Sequence, residues 1–408
     1  MTELTKDDAE LPELRFVGPL AGTFAVQTMV SMAMFGVAVI APVAAPAIGV
    51  KAELIGTFSA IAYGVGMLAG LMTGALTDRF GAIRICQMTM VLTFFGVIAL
   101  TVSTPLAAIA SAILLGMSYG PVNPASTQIL ARVTTTRSRA FIFSVKQTGM
   151  PAGAALAGAL LPLLILAFDW RVAIAATGVV AMVVALGIQL LHKRIDAIRD
   201  TKRRINVGNI ADPLKLVWQY PRLRCLMIVG YVYAGSQVAI ATFFVIHLTS
   251  ALAMPLETAG LIYTALQISA IVGRLLWGGI AGHLVPGDRV LVALGFATSI
   301  CAVVAGLFDA SWSLWSIALA SVLLGITSHG FNGVFFSEFT RHVTPEQTGT
   351  AAGGMQFAML AGVDTVPLAF GLLITLTHSY FVAYCAIALA VFATAAYAAV
   401  TLTPRHSA

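Results

Sequence analysis

The chain has 408 residues, of which 59% are hydrophobic and only 10% are charged, and its mean hydropathy is +0.93. No soluble globular domain of this length tolerates so apolar a surface, so the composition indicates a membrane protein with several spans. The formal net charge of +6 is an orientation signal rather than a nucleic-acid patch, because 19 of the 23 Lys and Arg residues lie in segments assigned below to the cytoplasm.

The cysteines and the N-terminal segment add two further expectations. Cys86, Cys225, Cys301 and Cys385 are far apart in apolar surroundings, so we expect small core residues and neither a disulfide framework nor a metal site. Residues 1–16 are polar and contain no hydrophobic segment typical of a cleaved signal peptide. The first span is therefore expected to direct membrane insertion itself.

Twelve apolar segments follow, each close to the roughly 20 residues that cross a bilayer as a helix. Predicted spans 1 to 6 are residues 17–41, 55–75, 85–103, 106–130, 140–167 and 172–191. Predicted spans 7 to 12 are residues 226–248, 258–281, 290–308, 313–335, 348–375 and 380–402. The pattern predicts an all-α membrane protein with twelve transmembrane helices.

One long polar segment separates the two sets of six spans. Residues 192–225 are rich in Lys and Arg, which predicts a cytoplasmic linker, with a short amphipathic helix near residues 213–220. Because each set contains an even number of spans, the tails at 1–16 and 403–408 are also predicted to be cytoplasmic. The linker divides an N-terminal half, 17–191, from a C-terminal half, 226–402.

The two halves repeat each other in parallel. The Leu-Leu-Gly sequence at 114–116 in span 4 recurs at 323–325 in span 10, and the same shift relates Gly153 in span 5 to Gly362 in span 11. Such self-similarity predicts two six-helix units with the same internal arrangement.

The turn between spans 2 and 3 contains the most specific motif. Residues 74–84 are GALTDRFGAIR, in which glycines permit a tight turn and arginines hold it in the cytoplasm. The pattern resembles the signature between the second and third helices of the major facilitator superfamily of transporters. The resemblance implies two halves that rock about a central site. It also implies a conformational latch at Gly74, Asp78, Arg79, Gly81 and Arg84.

Span 5 departs from the motif of the drug/proton antiporters in that superfamily. Those proteins have a GPxxGG-like motif there, whereas residues 146–158 of this chain are KQTGMPAGAALAG. The glycines still permit close helix packing, and Pro151 removes a backbone donor and loosens the helix. The antiporter interpretation is weakened and stays open.

Three ionisable side chains lie deep within predicted spans, where each costs roughly 2.5 to 3.5 kcal/mol and so indicates a function. Lys146 lies about 9 Å into span 5 at the helical rise per residue, and Arg274 lies about 10 Å from the cytoplasmic end of span 8. Asp364 lies about 16 Å from the outer end of span 11.

Arg274 belongs to a polar stripe on span 8. Tyr263, Gln267 and Arg274 are separated by 4 and 7 residues, which keeps them on one helical face. The surrounding GRLLWGG resembles span 8 of monocarboxylate and oxalate carriers, which implies that Arg274 binds an anion. The acid one turn earlier in the monocarboxylate pattern is Ala270 here, so the resemblance implies no proton coupling at that position. A purely structural arginine is the alternative.

Other polar side chains are candidates for the same cavity. Lys146 with Gln147 is predicted to form a second cationic contact, and a lysine that reaches the membrane surface is the alternative. Asp364 is predicted to carry a proton or to be the counter-ion of one cation. The neutral candidates, for which a core role is the alternative, are Tyr119, Asn123, His329 and Asn332.

These features predict an inner-membrane secondary transporter that moves a small organic anion, most simply a carboxylate, by proton symport. The expected partners are the anion, protons and the lipid bilayer, with no nucleic acid, cofactor or metal, and the protein is expected to be a monomer. No Walker motif or catalytic constellation is present, so neither an ATPase nor an enzyme is predicted. The alternative is proton-driven efflux of a drug or metabolite, which favours an acid in span 1 or 4 that this chain lacks. A non-transporting receptor is a third class.

Overall fold

The computed structural model describes residues 16–133, 142–143, 145–195, 211–281, 284–343 and 348–402. The predicted tails, apart from Phe16, and residues 196–210 of the predicted linker lie outside the described residues. The side chain of Asp78 and the surroundings of Gly74 also lie outside the description.

Twelve helices in the described part are long and apolar enough to cross a membrane, as predicted. In the first half these are α1 (Val17–Ile48), α2 (Ile55–Phe80), α3 (Ala82–Thr101), α4 (Pro105–Val133), α5 (Gly149–Ala167) and α6 (Trp170–Ile195). In the second half they are α7 (Pro221–Ser250), α8 (Leu256–Ile280), α9 (Gly287–Gly306), α10 (Leu314–His329, continued by Phe331–Thr340), α11 (Thr348–Thr377) and α12 (Tyr380–Thr401).

Several helices extend beyond the apolar segments that predicted them. α1 continues to Ile48 through Pro42 and Pro46, and α7 begins at Pro221, within the predicted linker. Hydrophobicity marks only the part of a helix that lies in hydrocarbon, so a helix continues until its capping or turn residues end it. Pro221 suits the first turn of α7, where a backbone N–H has no helical partner in any case.

The amphipathic linker helix is confirmed at Ala211–Gln219. Its Val217 is buried and the helix packs against α11, whereas Trp218 is exposed. We call the side of the bundle that holds this helix, Val17 and Thr401 the linker end, and the opposite side the far end.

The packing within each half follows the predicted parallel repeat. In the first half α1 packs on α5, α2 on α4 and α3 on α6. In the second half α7 packs on α11, α8 on α10 and α9 on α12, which is the same arrangement six helices later. The two halves therefore have one internal plan.

Glycines at repeated positions make these pairings close. A Cβ on Gly116 of α4 would overlap the carbonyl of Ala62 on α2, and a Cβ on Gly325 of α10 would overlap the carbonyl of Leu266 on α8. Gly153 and Gly362 likewise press on backbone carbonyls of α1 and α7. Small residues let helix backbones approach in a membrane, where packing rather than hydrophobicity drives association.

The halves meet along two seams, α2 with α11 and α5 with α8, and α1 also touches α7. Toward the far end the seams are tight, because a Cβ on Gly158 of α5 would lie 2.7 Å from the carbonyl oxygen of Gly260 on α8. Residues 233–248 of α7, which reach almost to the far end, are all buried, whereas residues 221–232 nearer the linker end are partly exposed. The halves therefore close on each other at the far end more than at the linker end.

Candidate functional site

Lys146 lies just before α5 and points inward. Residues 145–147 form a helical turn that leads into α5 through Thr148, whose dihedral angles are helical (φ −70°, ψ −12°). The lysine is only 2% exposed, so its ammonium does not reach the membrane surface. Its Nζ donates to Gln27 Oε1 of α1 at 2.9 Å and to Asn123 Oδ1 of α4 at 2.5 Å. Two neutral amide oxygens thus hold this cation.

Arg274 reaches from α8 across the seam to the other half. Its Nη1 donates to the backbone carbonyl of Gln147 at 3.0 Å, and its Nε is buried without a hydrogen-bond partner. Among the described side chains, no carboxylate pairs with Arg274 or with Lys146. The site therefore holds two cations whose hydrogen-bond acceptors, among the described residues, are neutral oxygens.

A small cavity lies between the halves beside Arg274. Seven residues from five helices line it: Phe35 of α1, Met150 and Pro151 of α5, Gln237 of α7, Gln267 and Arg274 of α8, and His329 of α10. Apolar walls with a few convergent polar groups are typical of a small-molecule site. In this conformation the space between them is too small to admit a water molecule.

Hydrogen bonds organise the polar walls of this cavity. Asn332 Nδ2 donates to Gln237 Oε1 at 3.0 Å, and Ser328 shares a hydrogen bond of 2.9 Å with His329 Nδ1. By contrast, Gln267 Nε2 is buried and has no partner. An unpaired buried donor costs free energy, which a ligand acceptor at this position would offset.

Most of the predicted site residues converge here. Arg274, Gln267 and His329 line the cavity, while Asn332 and Tyr119 contact lining residues: Asn332 through Gln237, and Tyr119 through its OH, which lies 3.9 Å from Met150 Sδ. Tyr119 also packs edge-on against Tyr63, with ring centroids 5.2 Å apart. Lys146 and Asn123 form the adjacent cluster with Gln27.

Two predicted contacts differ from expectation. Gln147 meets Arg274 through its backbone carbonyl, whereas the prediction grouped Gln147 with Lys146 as a contact for the substrate. Tyr263 is fully buried against Phe244 and the backbone near Gly158, so it belongs to the α5–α8 seam and not to the cavity lining. Helical spacing placed Tyr263 on the right face, but it could not show that α5 covers that part of the face.

Sequence reasoning missed Phe35 and Met150 as lining residues. Both are apolar residues within apolar helices, so no local signal distinguishes them from neighbours that pack in the core. Pro151 was noticed for its effect on the helix and proves to line the cavity as well.

Asp364 lies on the other seam. It is half-buried on α11, where its Oδ1 lies 3.2 Å from the position of a Cβ built on Gly64 of α2, and this oxygen has no hydrogen-bond partner. It pairs with neither Lys146 nor Arg274 in this conformation.

The turn after α2 has the predicted backbone geometry. Gly81 has φ +97°, a conformation that side-chain-bearing residues rarely adopt, and its N–H donates to Thr77 O at 2.9 Å. Arg84 donates to Gln87 and to Gln189 of α6, and Arg79 is exposed. The predicted role of Asp78 lies outside the described side chains.

Twelve membrane-spanning helices in two repeated halves, with polar groups gathered in a cavity between them, define a membrane transporter rather than an enzyme. The chain belongs to the Major Facilitator Superfamily, whose family model matches residues 23–363. The sequence has no significant match among curated proteins.

Solved transporters have the same fold. The bacterial homologue of the human lysosomal transporter Spinster is 14% identical with a TM-score of 0.69, and the match covers 96% of each chain. The nucleoside transporter NupG is 13% identical with a TM-score of 0.77, covering 94% of this chain and 100% of that one. A POT family transporter in complex with 5-aminolevulinic acid is 11% identical with a TM-score of 0.75, covering 92% and 94%. At these identities the likeness concerns the fold alone.

Proposed function

We propose that this protein is a secondary transporter that moves a small organic anion, most simply a carboxylate, across the inner membrane by proton symport. The two halves alternate access to the cavity beside Arg274. The protein acts as a monomer, with its termini and linker in the cytoplasm.

The observation that carries the proposal is the uncompensated positive charge of Lys146 and Arg274. Both are held by neutral oxygens, and no described carboxylate pairs with either. A buried charge without a counter-ion is costly, so a bound anion stabilises this arrangement whereas a cation opposes it.

The geometry of Arg274 favours a carboxylate. One nitrogen of the guanidinium is occupied by the Gln147 carbonyl and the Nε is free. A guanidinium offers parallel donors that match the two oxygens of a carboxylate, which makes such contacts both strong and directional. The unpaired Gln267 amide nitrogen at the same cavity adds a neutral donor.

Asp364 is the proposed proton carrier. Its Oδ1 is buried without a partner on the α2–α11 seam, so protonation removes a charge from the contact between the halves. A carboxyl group there links proton binding to the relative position of the halves, because burying the charged form costs more than burying the neutral form.

The orientation follows from the distribution of basic residues. With 19 of 23 Lys and Arg on the side of the linker, the positive-inside rule places the linker end in the cytoplasm. The conformation described, closer at the far end, is then the one that gives access from the cytoplasm.

Uptake into proteoliposomes tests this proposal. Purified protein is supplied with a panel of small carboxylates, matched neutral amides and cationic drugs, with and without an inward proton gradient. We expect accumulation of at least one carboxylate only with the gradient, and no accumulation by Arg274→Ala. Transport of cationic or neutral lipophilic compounds by Arg274→Ala would instead support the efflux alternative.

A further inference from the structure

We infer that Pro151 is a positioning residue for the anion site, because it frees the carbonyl that orients the Arg274 guanidinium. The inference rests on the proposed function in naming the anion as the ligand. The arrangement of proline, carbonyl and arginine stands on the contacts alone.

The first step is the backbone around Thr148. In an uninterrupted α-helix the carbonyl of Gln147 would accept a hydrogen bond from the N–H of residue 151. Proline has no N–H, so this bond cannot form. Thr148 keeps helical dihedral angles, φ −70° and ψ −12°, and the next bond of the series forms, with Ala152 N donating to Thr148 O at 3.0 Å. The Gln147 carbonyl is left without a helical donor.

The second step is the partner that this carbonyl gains. Arg274 of the opposite half donates its Nη1 to Gln147 O at 3.0 Å. Pro151 itself is buried and lines the same cavity as Arg274, so the proline and the arginine lie at one place in the fold. A buried carbonyl needs a donor, and a charged guanidinium is a strong one.

The third step is the edge that remains for a ligand. A guanidinium has five donors in a rigid plane. When Nη1 is tied to a fixed backbone oxygen, the plane cannot rotate freely, and the edge formed by Nε and Nη2 keeps one direction. Arg274 Nε is buried and unpaired, as expected of an edge that awaits an acceptor. Ordering this long side chain before binding lowers the entropy cost of holding a carboxylate.

The same contact crosses the α5–α8 seam. Toward the far end of this seam, Thr264 of α8 donates to Ala155 O of α5 at 3.0 Å, and Gly260 packs closely on the carbonyl of Gly158. Of these three contacts across the seam, the Arg274–Gln147 bond is the one nearest the linker end.

The test is Pro151→Ala. This change restores a backbone N–H four residues after Gln147, which can donate a helical hydrogen bond to the Gln147 carbonyl. We expect the concentration of carboxylate for half-maximal binding to rise about tenfold, which corresponds to about 1.4 kcal/mol. In the Arg274→Lys background, which has no planar guanidinium to orient, Pro151→Ala should add little. Non-additivity of this kind is the signature of two residues that act through one contact.

Pro162→Ala is the matched control. It restores the same kind of backbone N–H within α5, but the carbonyl that Pro162 frees, at Gly158, packs on Gly260 and not on a cation. We expect Pro162→Ala to change the affinity for the carboxylate less than Pro151→Ala does. The change should also be the same in the wild-type and the Arg274→Lys backgrounds. If Pro151→Ala shifts affinity additively with Arg274→Lys, or behaves as Pro162→Ala does, the inference is wrong.

A second readout needs no ligand. In protein with isotope-labelled arginine, the guanidinium signals of Arg274 are assigned by their loss in Arg274→Lys. The wild type should show distinct Nη1 and Nη2 signals, because one is hydrogen-bonded and rotation is hindered, and Pro151→Ala should merge them. If they stay distinct, the carbonyl still holds Arg274 through its second lone pair and Pro151 is not the cause. Should the wild type bind no organic anion, the proposed function fails, and this experiment alone decides the inference.

Discussion

At the scale of single residues, the chemistry of Arg274 depends on the shape of its head group as well as on its charge. Arg274→Lys keeps the charge and loses the planar guanidinium. We therefore expect the anion concentration that gives half-maximal uptake to rise tenfold or more, which corresponds to roughly 1.4 kcal/mol or above. Arg274→Ala should abolish transport. Initial rates of anion uptake at varied substrate concentration measure both effects. Wild-type kinetics in Arg274→Ala would make the arginine structural.

Asp364 is the residue on which we expect coupling to depend. In Asp364→Asn the site stays neutral, so exchange of anion across the membrane should continue while accumulation driven by a proton gradient is lost. Counterflow of labelled substrate measures exchange, and uptake under an imposed gradient measures coupling. If gradient-driven uptake by Asp364→Asn equals that of the wild type, the carboxyl group serves packing of the α2–α11 seam alone.

At the scale of helices, close pairs such as α2 and α4 depend on glycine. Gly120→Ala places a Cβ against the Gly66 carbonyl, and overpacking typically costs about 1–3 kcal/mol. We expect a lower thermal unfolding midpoint in detergent. Gly187→Ala on α6 is the control, because it meets nothing within 4 Å and alanine favours a helix. Equal midpoints for the two variants would contradict the packing argument.

The pairing of α5 with α8 has to open if the cavity is to face the far end. Cysteines in place of Ala155 and Thr264, in a protein lacking the four native cysteines, sit where Thr264 now donates to Ala155 O. Joining them with a short thiol cross-linker should stop transport, and reduction of the link should restore it. Each single cysteine variant with the same reagent is the control. Undiminished transport by the linked protein would show that this seam does not move.

At the scale of the whole molecule, the membrane orientation is the property that the basic residues predict. A cysteine at position 202 should react with a membrane-impermeant reagent only after cells are opened, and one at Lys51 or His378 should react in intact cells. Position 202 lies in the linker and the other two lie at the far end, so the three labels report both faces. Labelling of residue 202 in intact cells would reverse the proposed topology.

Much of the architecture could be predicted because it depends on local composition. Apolar stretches of the length of a bilayer define helices wherever they occur, so the twelve spans, the linker helix and the parallel repeat were all confirmed. The turn at Gly81 was predictable for the same reason, since glycine adopts φ +97° without strain. Helix ends were less well predicted, as α1 and α7 show, because capping rather than hydropathy decides them.

What the sequence by itself determined is which residues are chemically unusual: Lys146, Arg274 and Asp364 stand out because charge is costly inside a bilayer. Only the tertiary structure decided their partners. In the structure Lys146 lies between two side-chain amides, and Arg274 donates to the Gln147 carbonyl, which has no helical donor because residue 151 is proline. Asp364 lies on the α2–α11 seam, away from both cations. These contacts join residues more than 20 positions apart, and up to 300 in the case of Asp364 and Gly64. Helical periodicity assigns a residue to a face, whereas the packing of the two halves decides what that face meets.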